Sequence, residues 1–291
     1  MKKLIVSVRV NEYKQRSENP HVPFTPDEIA EAAAECRKAG ASIVHFHARN
    51  PDGSACFDPE MYAECAAKIR ERSDILIDVT LGQANVTDPE QRIAHIRHMA
   101  RSPRTRLDFA AVDTGSTNVD AYDSVTRQYK STNRSYVNSI DTCRFLIREM
   151  RSLGVTPAVS AWSIPFLRGL DSLMDSGELA EPTSVQIVLC DGGILGGHPN
   201  TPAGLLSMVE HLPRHRKLEW MVAVKEGNIF VAAAIAIGLG GHISPGLGDY
   251  AYPELDHPSN ARLVEHLVAL GRGIGRTPAS PDEARKMLLP D

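Results

Sequence analysis

The chain has 291 residues, of which 42% are hydrophobic and 23% are charged, and its formal net charge is −4. These values are typical of a globular protein that buries a full core, and the lack of a basic excess argues against nucleic acid or a membrane surface as a partner. The longest apolar run, Ile229 to Ile237, is too short to cross a bilayer as a helix. The five cysteines form no C-x-x-C motif, so we expect reduced thiols in a cytoplasmic protein.

Short apolar runs alternate with capped helices from the start of the chain. Leu4 to Val10 predicts a strand rather than a secretion signal, because polar and charged residues follow it at once. Thr25-Pro26-Asp27-Glu28 has the pattern of a helix start, with an N-cap, a proline in the first turn and a capping box, and Gly40 is expected to end that helix. Asp58-Pro59-Glu60 and Asp88-Pro89-Glu90 predict two further helix starts.

Eight strand–helix units of this kind are predicted, with strands at residues 4–10, 42–47, 75–80, 107–112, 156–161, 185–190, 218–224 and 242–244. Alternation of strands and helices implies a parallel sheet covered by helices. Eight units in a chain of this length favour a (β/α)8 TIM barrel over a doubly wound sheet. No G-x-G-x-x-G motif follows the first strand, so dinucleotide binding has no support. We see no linker and predict one domain over residues 1–291.

Polar residues gather at the predicted carboxyl ends of these apolar strands, where barrels of this class carry their active sites. They are Asn11, Glu12, His45, His47, Thr80, Asp113, Trp162, Asp191, Lys225, Glu226 and Asp249. His45 and His47 alternate along the second strand and therefore point the same way, as two ligands of one metal ion would. The alternative is a pair of polar residues that only finishes a strand.

A catalytic zinc ion needs a third protein ligand. Glu226, at the end of the seventh strand, is the candidate, although it could instead pair with Lys225 or cap the next helix. After the fourth strand, Asp113 and Ser116 could bind a small polar substrate or form a plain turn, and the hydroxyl of Thr80 could bind a substrate carboxylate. No G-x-S-x-G motif is present, so Ser-His-Asp catalysis has little support.

Taken together, these residues resemble the β-keto acid cleavage enzymes, a family that includes 3-keto-5-aminohexanoate cleavage enzyme. The resemblance covers nearly the whole chain. It is strongest in residues 23–29, in residues 39–49 with 51–53, in Gly240-Gly241-His242, and in residues 259–261, 277–278 and 283–285. It implies a (β/α)8 barrel that binds zinc through His45 and His47, with Arg49 and Glu12 among the substrate-binding residues. It also implies a homo-oligomer.

The reaction that this resemblance implies is the condensation of a β-keto acid with acetyl-CoA, which gives acetoacetate and a new acyl-CoA. Zinc would polarise the keto oxygen, a carboxylate would remove a proton, and the carbanion would attack the thioester before a retro-Claisen step. Glu12 resembles a family carboxylate that binds the amino group of a substrate.

The chain also departs from the family pattern after Gly240-Gly241-His242. Relatives usually carry an Arg and then a Glu next to an Asp. The Glu is the third zinc ligand, and the Arg and Asp form the catalytic base. Here Ser244 and Gly248 stand at the Arg and Glu positions, and Asp249 alone is kept. We hypothesise that Glu226 replaces the lost carboxylate and Lys225 the lost cation, which leaves Asp249 as the general base.

Two other functions remain open at this stage. Zinc-dependent hydrolases of the amidohydrolase type also begin their site with H-x-H, but after the first strand, and they need later histidines. A divergent barrel that has lost the chemistry and binds only a metal or a small ligand is the second alternative, because the expected Arg and Glu are missing.

Overall fold

The computed structural model describes residues 2–81 and 86–289. In this part of the chain the strands are β1 (Ser7–Arg9), β2 (Ile43–Phe46), β3 (Leu76–Val79), β4 (Phe109–Asp113), β5 (Thr117–Asn118), β6 (Tyr122–Asp123), β7 (Gln128–Tyr129), β8 (Ser135–Tyr136), β9 (Thr156–Ala161), β10 (Thr183–Cys190), β11 (His198–Pro199), β12 (Leu218–Lys225) and β13 (His242–Ile243).

The α-helices between these strands are α1 (Pro26–Ala39), α2 (Pro59–Arg72), α3 (Pro89–Met99), α4 (Ile140–Ser152), α5 (Ile164–Asp175), α6 (Pro202–Glu210), α7 (Phe230–Gly238), α8 (Asn260–Gly273) and α9 (Pro281–Leu288). A short 3-10 helix spans Pro253–Leu255. No helix in the described ranges is both long enough and apolar enough to span a membrane.

Eight parallel strands form a nearly closed barrel in the order β1-β2-β3-β4-β9-β10-β12-β13, and β11 pairs with β10. The barrel closes between its first and last strands, where Val6 and Ile243 form a parallel bridge. The predicted TIM barrel is therefore confirmed, with strand ends within about three residues of those expected from the sequence.

The predicted helix starts are present with their side-chain caps. Thr25 forms a full capping box with Glu28, and Asp58 and Asp88 accept hydrogen bonds from backbone N–H groups in the first turns of α2 and α3. Such caps each stabilise a helix by about 1 kcal/mol. Gly40 ends α1 with a φ of 115°, a conformation that residues with a Cβ rarely adopt.

Side chains that point into the barrel change character along each strand. At the amino end, an apolar cluster formed by Ile5, Ile43, Leu76 and Phe109 packs against Ala284 and Leu288 of α9. Two residues further along their strands, the same inward faces carry Ser7, His45 and Asp78, all of them buried. The barrel is therefore filled with apolar groups at one end and becomes polar toward the carboxyl ends of its strands.

The segment after β4 contains two small antiparallel ladders. Pairing of β5 with β8 and of β6 with β7 gives a structure that we call the rim hairpin, residues 117–136. Each of its strands has only two residues, which is too short to leave a periodic pattern in a sequence.

Candidate active site

Ligand atoms of three buried side chains meet where β1 and β2 end. Glu12, His45 and His47 each offer one atom, and these atoms all lie within 4.8 Å of one another. The two imidazole centroids are 5.3 Å apart, as expected for alternate residues on one face of a strand. The predicted pairing of the two histidines is present, and the carboxylate that joins them is that of Glu12.

The imidazole of His45 is oriented by a carboxylate on the next strand. Its Nδ1 lies 2.8 Å from Oδ2 of Asp78, which pairs with His45 across the β2–β3 ladder. Nε2 is buried and has no hydrogen-bond partner among the described residues, and it lies 3.9 Å from Oε1 of Glu12. A proton on Nδ1 leaves the lone pair of Nε2 directed at the Glu12 carboxylate, which is the arrangement of a metal-binding histidine.

The second imidazole, that of His47, is held by the loop after β1. Its backbone N–H donates to the Asn11 side chain at 2.9 Å, and the Asn11 amide donates back to the His47 carbonyl at 2.9 Å. Burial lowers the pKa of His47 well below its usual value, and the nearby His45 and Arg9 add to this effect. The ring is therefore neutral at physiological pH, which is the form that binds metals.

Glu12 occupies space that a side chain at position 248 would need. A Cβ added to Gly248 would lie 2.9 Å from Cγ of Glu12 and 2.9 Å from its backbone nitrogen. Glu12 is 1% exposed, and its backbone has a φ of 32°, an unusual value for a residue with a side chain. The carboxylate therefore reaches the histidines from the loop after β1, and glycine at 248 leaves room for it.

Two cations lie between this carboxylate and that of Asp249. Nε of Arg9 is 2.9 Å from Oδ2 of Asp249, and Nζ of Lys225 is 2.9 Å from Oδ1. Both cations also contact the Glu12 carboxylate. Burial raises the pKa of Asp249, while the positive charge of Arg9 acts in the opposite direction. Both carboxylates therefore contact both cations, so the buried negative charges are balanced by buried positive ones.

Glu226 does not lie with the histidines, so the expectation that it is the third ligand is not met by this geometry. Its side chain is 40% exposed, and its Oε2 lies 2.6 Å from Nζ of Lys14. Its backbone has a φ of 58°, and its N–H donates to the Asp249 carbonyl at 2.9 Å. The chain turns outward at this residue and directs the carboxylate to the barrel rim.

Arg49 and Ser116 have structural hydrogen bonds where the sequence predicted contacts with substrate. The buried guanidinium of Arg49 donates to the carbonyls of Gly53 at 2.8 Å and Lys14 at 3.0 Å, and it also contacts the Glu12 carbonyl. Ser116 accepts from the Asn138 N–H at 2.8 Å and donates to the Asn138 carbonyl at 3.1 Å. Arg49 thus fastens the loop that carries Glu12, and Ser116 fastens the base of the rim hairpin.

Asp113 and Thr80 both lie at the predicted strand ends. The Tyr136 hydroxyl and the Trp162 indole N–H each donate to the Asp113 carboxylate at 2.7 Å. Burial raises the pKa of Asp113, and these two hydrogen bonds oppose the rise. Thr80 is buried directly after β3, and its carbonyl lies 2.9 Å from Nε2 of His95. Asp113 thus joins the rim hairpin to the barrel wall, and its contact with substrate stays a prediction.

Arg9 and Asp78 are the site residues that the sequence reasoning missed. Both lie inside short apolar strands rather than after them. Arg9 of β1 and Asp78 of β3 are the residues that lie opposite His45 on the two strands that flank β2. A signal was present, since Ser7, Arg9 and Asp78 are polar residues at alternate, inward-facing positions of strands whose other residues are apolar.

The donor set fits a divalent metal ion. His45 Nε2 is a buried atom that has no hydrogen-bond partner within the described ranges, and leaving such an atom unsatisfied costs free energy. Two imidazoles and a carboxylate are a common set for catalytic zinc. A Lewis acid at this point would be flanked by Asp249 as a potential base and by two cations, a combination suited to removing a proton next to a carbonyl group.

Comparison with known proteins identifies the family. A family model described as beta-keto acid cleavage enzyme matches residues 3–289. The 3-keto-5-aminohexanoate cleavage enzyme of Fusobacterium nucleatum is 30% identical over 99% of this chain and 98% of its own length. The 3-oxoadipate:acetyl-CoA acetyltransferase of Cupriavidus necator is 28% identical over 98% of this chain and 94% of its own.

Two further comparisons agree. The 3-dehydrocarnitine:acetyl-CoA trimethylamine transferase of Rhizobium meliloti is 27% identical over 94% of this chain and 91% of its own. The solved binary complex of ObcA with oxaloacetate superimposes with a TM-score of 0.75 at 14% identity, covering 92% of this chain and 67% of that one, which supports the barrel fold. As its motifs predict, the chain belongs to the β-keto acid cleavage enzyme family.

Proposed function

We propose that this enzyme exchanges acyl groups between a β-keto acid and acetyl-CoA, with a zinc ion held by Glu12, His45 and His47. The observation that carries the proposal is the buried trio of ligand atoms beside Asp249, in a family whose relatives include acetyl-CoA-dependent transferases. The balanced reaction is R–CO–CH2–COO⁻ + CH3–CO–S–CoA → R–CO–S–CoA + CH3–CO–CH2–COO⁻. The products are acetoacetate and a new acyl-CoA.

In this proposal Glu12 takes the ligand role that the family pattern places at position 248. Its carboxylate is already beside the two imidazoles, and the glycine at 248 leaves the space that it fills. Bound zinc would supply Lewis acidity to the keto oxygen of the substrate, which makes the adjacent carbon more acidic. Glu12 is then not available for the amino-group contact expected of it from the sequence.

Asp249 is the group proposed to accept the proton from that carbon. Its burial raises its pKa and makes the carboxylate a stronger base than an exposed one. Arg9 and Lys225 bracket it at 2.9 Å each, which fixes its orientation, and the positive charge of Arg9 opposes the rise in its pKa. The same two cations supply positive charge where negative charge develops during the exchange. Arg9 and Lys225 together therefore replace the cation missing at Ser244.

The test is an assay for acetoacetate with the purified protein, acetyl-CoA and a panel of β-keto acids. The panel contains 3-keto-5-aminohexanoate, 3-dehydrocarnitine and 3-oxoadipate, the acids in the relatives' names. We expect acetoacetate with at least one acid, loss of activity on chelation and recovery with zinc. Release of free CoA without acetoacetate would indicate a hydrolase instead. Metal binding without turnover of any acid would favour the barrel that has lost its chemistry.

A cytoplasmic location and a homo-oligomeric state remain predictions from the sequence.

A further inference from the structure

We propose that the rim hairpin binds the phosphates of the acyl-CoA through Arg127, Lys130 and Arg134. The inference rests on the proposed function, because that reaction brings a CoA thioester to the barrel mouth. It assigns a site to the part of CoA that does not react, the adenosine 3′-phosphate 5′-diphosphate, which carries most of the negative charge of the molecule.

The other loops at this end of the barrel, as far as the structure describes them, offer little free positive charge. In the loop after β1, Lys14 pairs with Glu18 and Glu226, and Arg16 pairs with Glu28. After β2, Arg49 is buried on backbone carbonyls, and at the end of β12, Lys225 is held by Asp249. Each of these cations already has a partner. A phosphate group arriving at the rim would therefore have to compete for them.

The three cations of the rim hairpin are in a different situation. Arg127, Lys130 and Arg134 are all exposed, and within residues 2–81 and 86–289 none of them has a salt-bridge partner. Of the two carboxylates of the hairpin, Asp120 is buried, whereas Asp123 is half-buried and the charge of Lys130 acts on it. Asp120 accepts from the Arg134 N–H at 3.1 Å, and Asp123 accepts from the Val125 N–H at 2.9 Å. The charge presented to solvent on this element is therefore mainly positive.

The rim hairpin is firmly attached to the barrel. The Tyr122 N–H donates to the Gly193 carbonyl at 2.9 Å, and the Thr117 hydroxyl donates to the Gly196 carbonyl at 2.8 Å. The approach at Gly193 is so close that an added Cβ would collide with the Tyr122 carbonyl oxygen. Glycine is therefore required there, and the attachment holds the cations in a fixed place relative to the barrel mouth.

The cations extend from the mouth to the tip of the rim hairpin. Arg134 is near enough to the mouth for its charge to act on Tyr13, whose ring centroid is 5.1 Å from that of His47. Arg127 lies in the turn between β6 and β7 with a φ of 55°, at the far end. Beside these cations Tyr129 is 62% exposed and could stack with adenine. Guanidinium groups bind phosphate in a bidentate manner.

The experiment compares a double variant of the rim hairpin with a matched double variant at the opposite end of the barrel. Arg127→Gln/Lys130→Gln removes two exposed cations from the hairpin. Arg214→Gln/Lys217→Gln removes one arginine and one lysine, both exposed, from the segment before β12. Binding of CoA and of pantetheine, which lacks the phosphates, is measured for each protein by calorimetry, together with its bound zinc and its oligomeric state.

We expect the hairpin variant to bind CoA about tenfold more weakly than the wild type, because charge-assisted contacts to phosphate are lost. Its affinity for pantetheine and its zinc content should not change, and the control variant should bind CoA as the wild type does. The affinity of the wild type for CoA should also fall more steeply with salt than that of the hairpin variant.

Equal CoA binding by the wild type and the hairpin variant would overturn this inference and leave the proposed function standing. The inference would also be overturned if the control variant lost as much CoA affinity as the hairpin variant, or if the hairpin variant lost as much pantetheine affinity as CoA affinity. A hairpin variant whose oligomeric state changes while its CoA affinity does not would overturn it as well. A wild type that binds no CoA at all would overturn both proposals.

Discussion

The two ends of the barrel are built from the same strands and the same inward-facing positions, yet they hold opposite kinds of side chain. The amino end is filled by the apolar cluster of Ile5, Ile43, Leu76 and Phe109 against α9. Two residues along from Ile43 and Leu76, His45 and Asp78 are also buried but polar. Apolar burial needs no partner, whereas buried charges persist only when they are paired. The apolar end therefore stabilises the fold, and the polar end, whose buried charges need partners, carries the proposed active site.

Replacement of Asp249 by Asn should give the largest effect at the polar end. The change keeps the shape of the side chain but removes the carboxylate proposed to accept the proton. We expect kcat to fall by about 10²- to 10⁴-fold, measured as acetoacetate formation with the best acid of the panel. Bound zinc should be unchanged, because Asp249 is not a proposed ligand. A variant that keeps wild-type kcat would show that another group is the base.

At the apolar end, replacement of Leu76 by Ala should affect stability alone. Leu76 is 1% exposed in the cluster against α9, so the truncation leaves a cavity. The free energy of unfolding should fall by about 2–5 kcal/mol, measured by urea denaturation followed by circular dichroism. The protein that remains folded should bind as much zinc as the wild type. Loss of zinc from the folded variant would show that the apolar end also supports the metal site.

A smaller effect is expected from replacement of Asp78 by Asn. This carboxylate orients His45 through a 2.8 Å contact with Nδ1 but is not itself a proposed ligand. Zinc affinity should fall by about 10- to 100-fold, measured by competition with a chromophoric chelator. The variant should still bind zinc at saturating concentration. An unchanged affinity would mean that the Asp78 contact does not support the metal site.

The position of the site was predictable from the sequence, and its full membership was not. The rule that barrel enzymes work at strand ends, with an H-x-H pair after the second strand, predicted that His45 and His47 lie together at the barrel mouth, as they do. The role of Asp249, suggested by the family resemblance, stays a prediction. The position of Glu12 beside the histidines depends on a loop with a φ of 32°, held by Asn11 and Arg49. These contacts link residues more than thirty positions apart, and no local pattern in the sequence encodes them.

Residues inside the strands and in the rim hairpin were missed for different reasons. Arg9 and Asp78 carried a visible signal, because they are charged residues at inward-facing positions of apolar strands. The rim hairpin carried none, because its strands are two residues long and depend on contacts with the loop after β10. The helices were predicted well, since their caps are local in sequence.

The central claim is that Glu12, and not Glu226, completes the metal site with His45 and His47. The most direct test is to measure zinc per protein chain by atomic spectroscopy after dialysis, for the wild type, Glu12→Gln and Glu226→Gln side by side. Both substitutions remove one carboxylate charge and keep the size of the side chain. The account predicts about one zinc ion in the wild type and in Glu226→Gln, and little in Glu12→Gln. Retention of zinc by Glu12→Gln together with its loss from Glu226→Gln would contradict it.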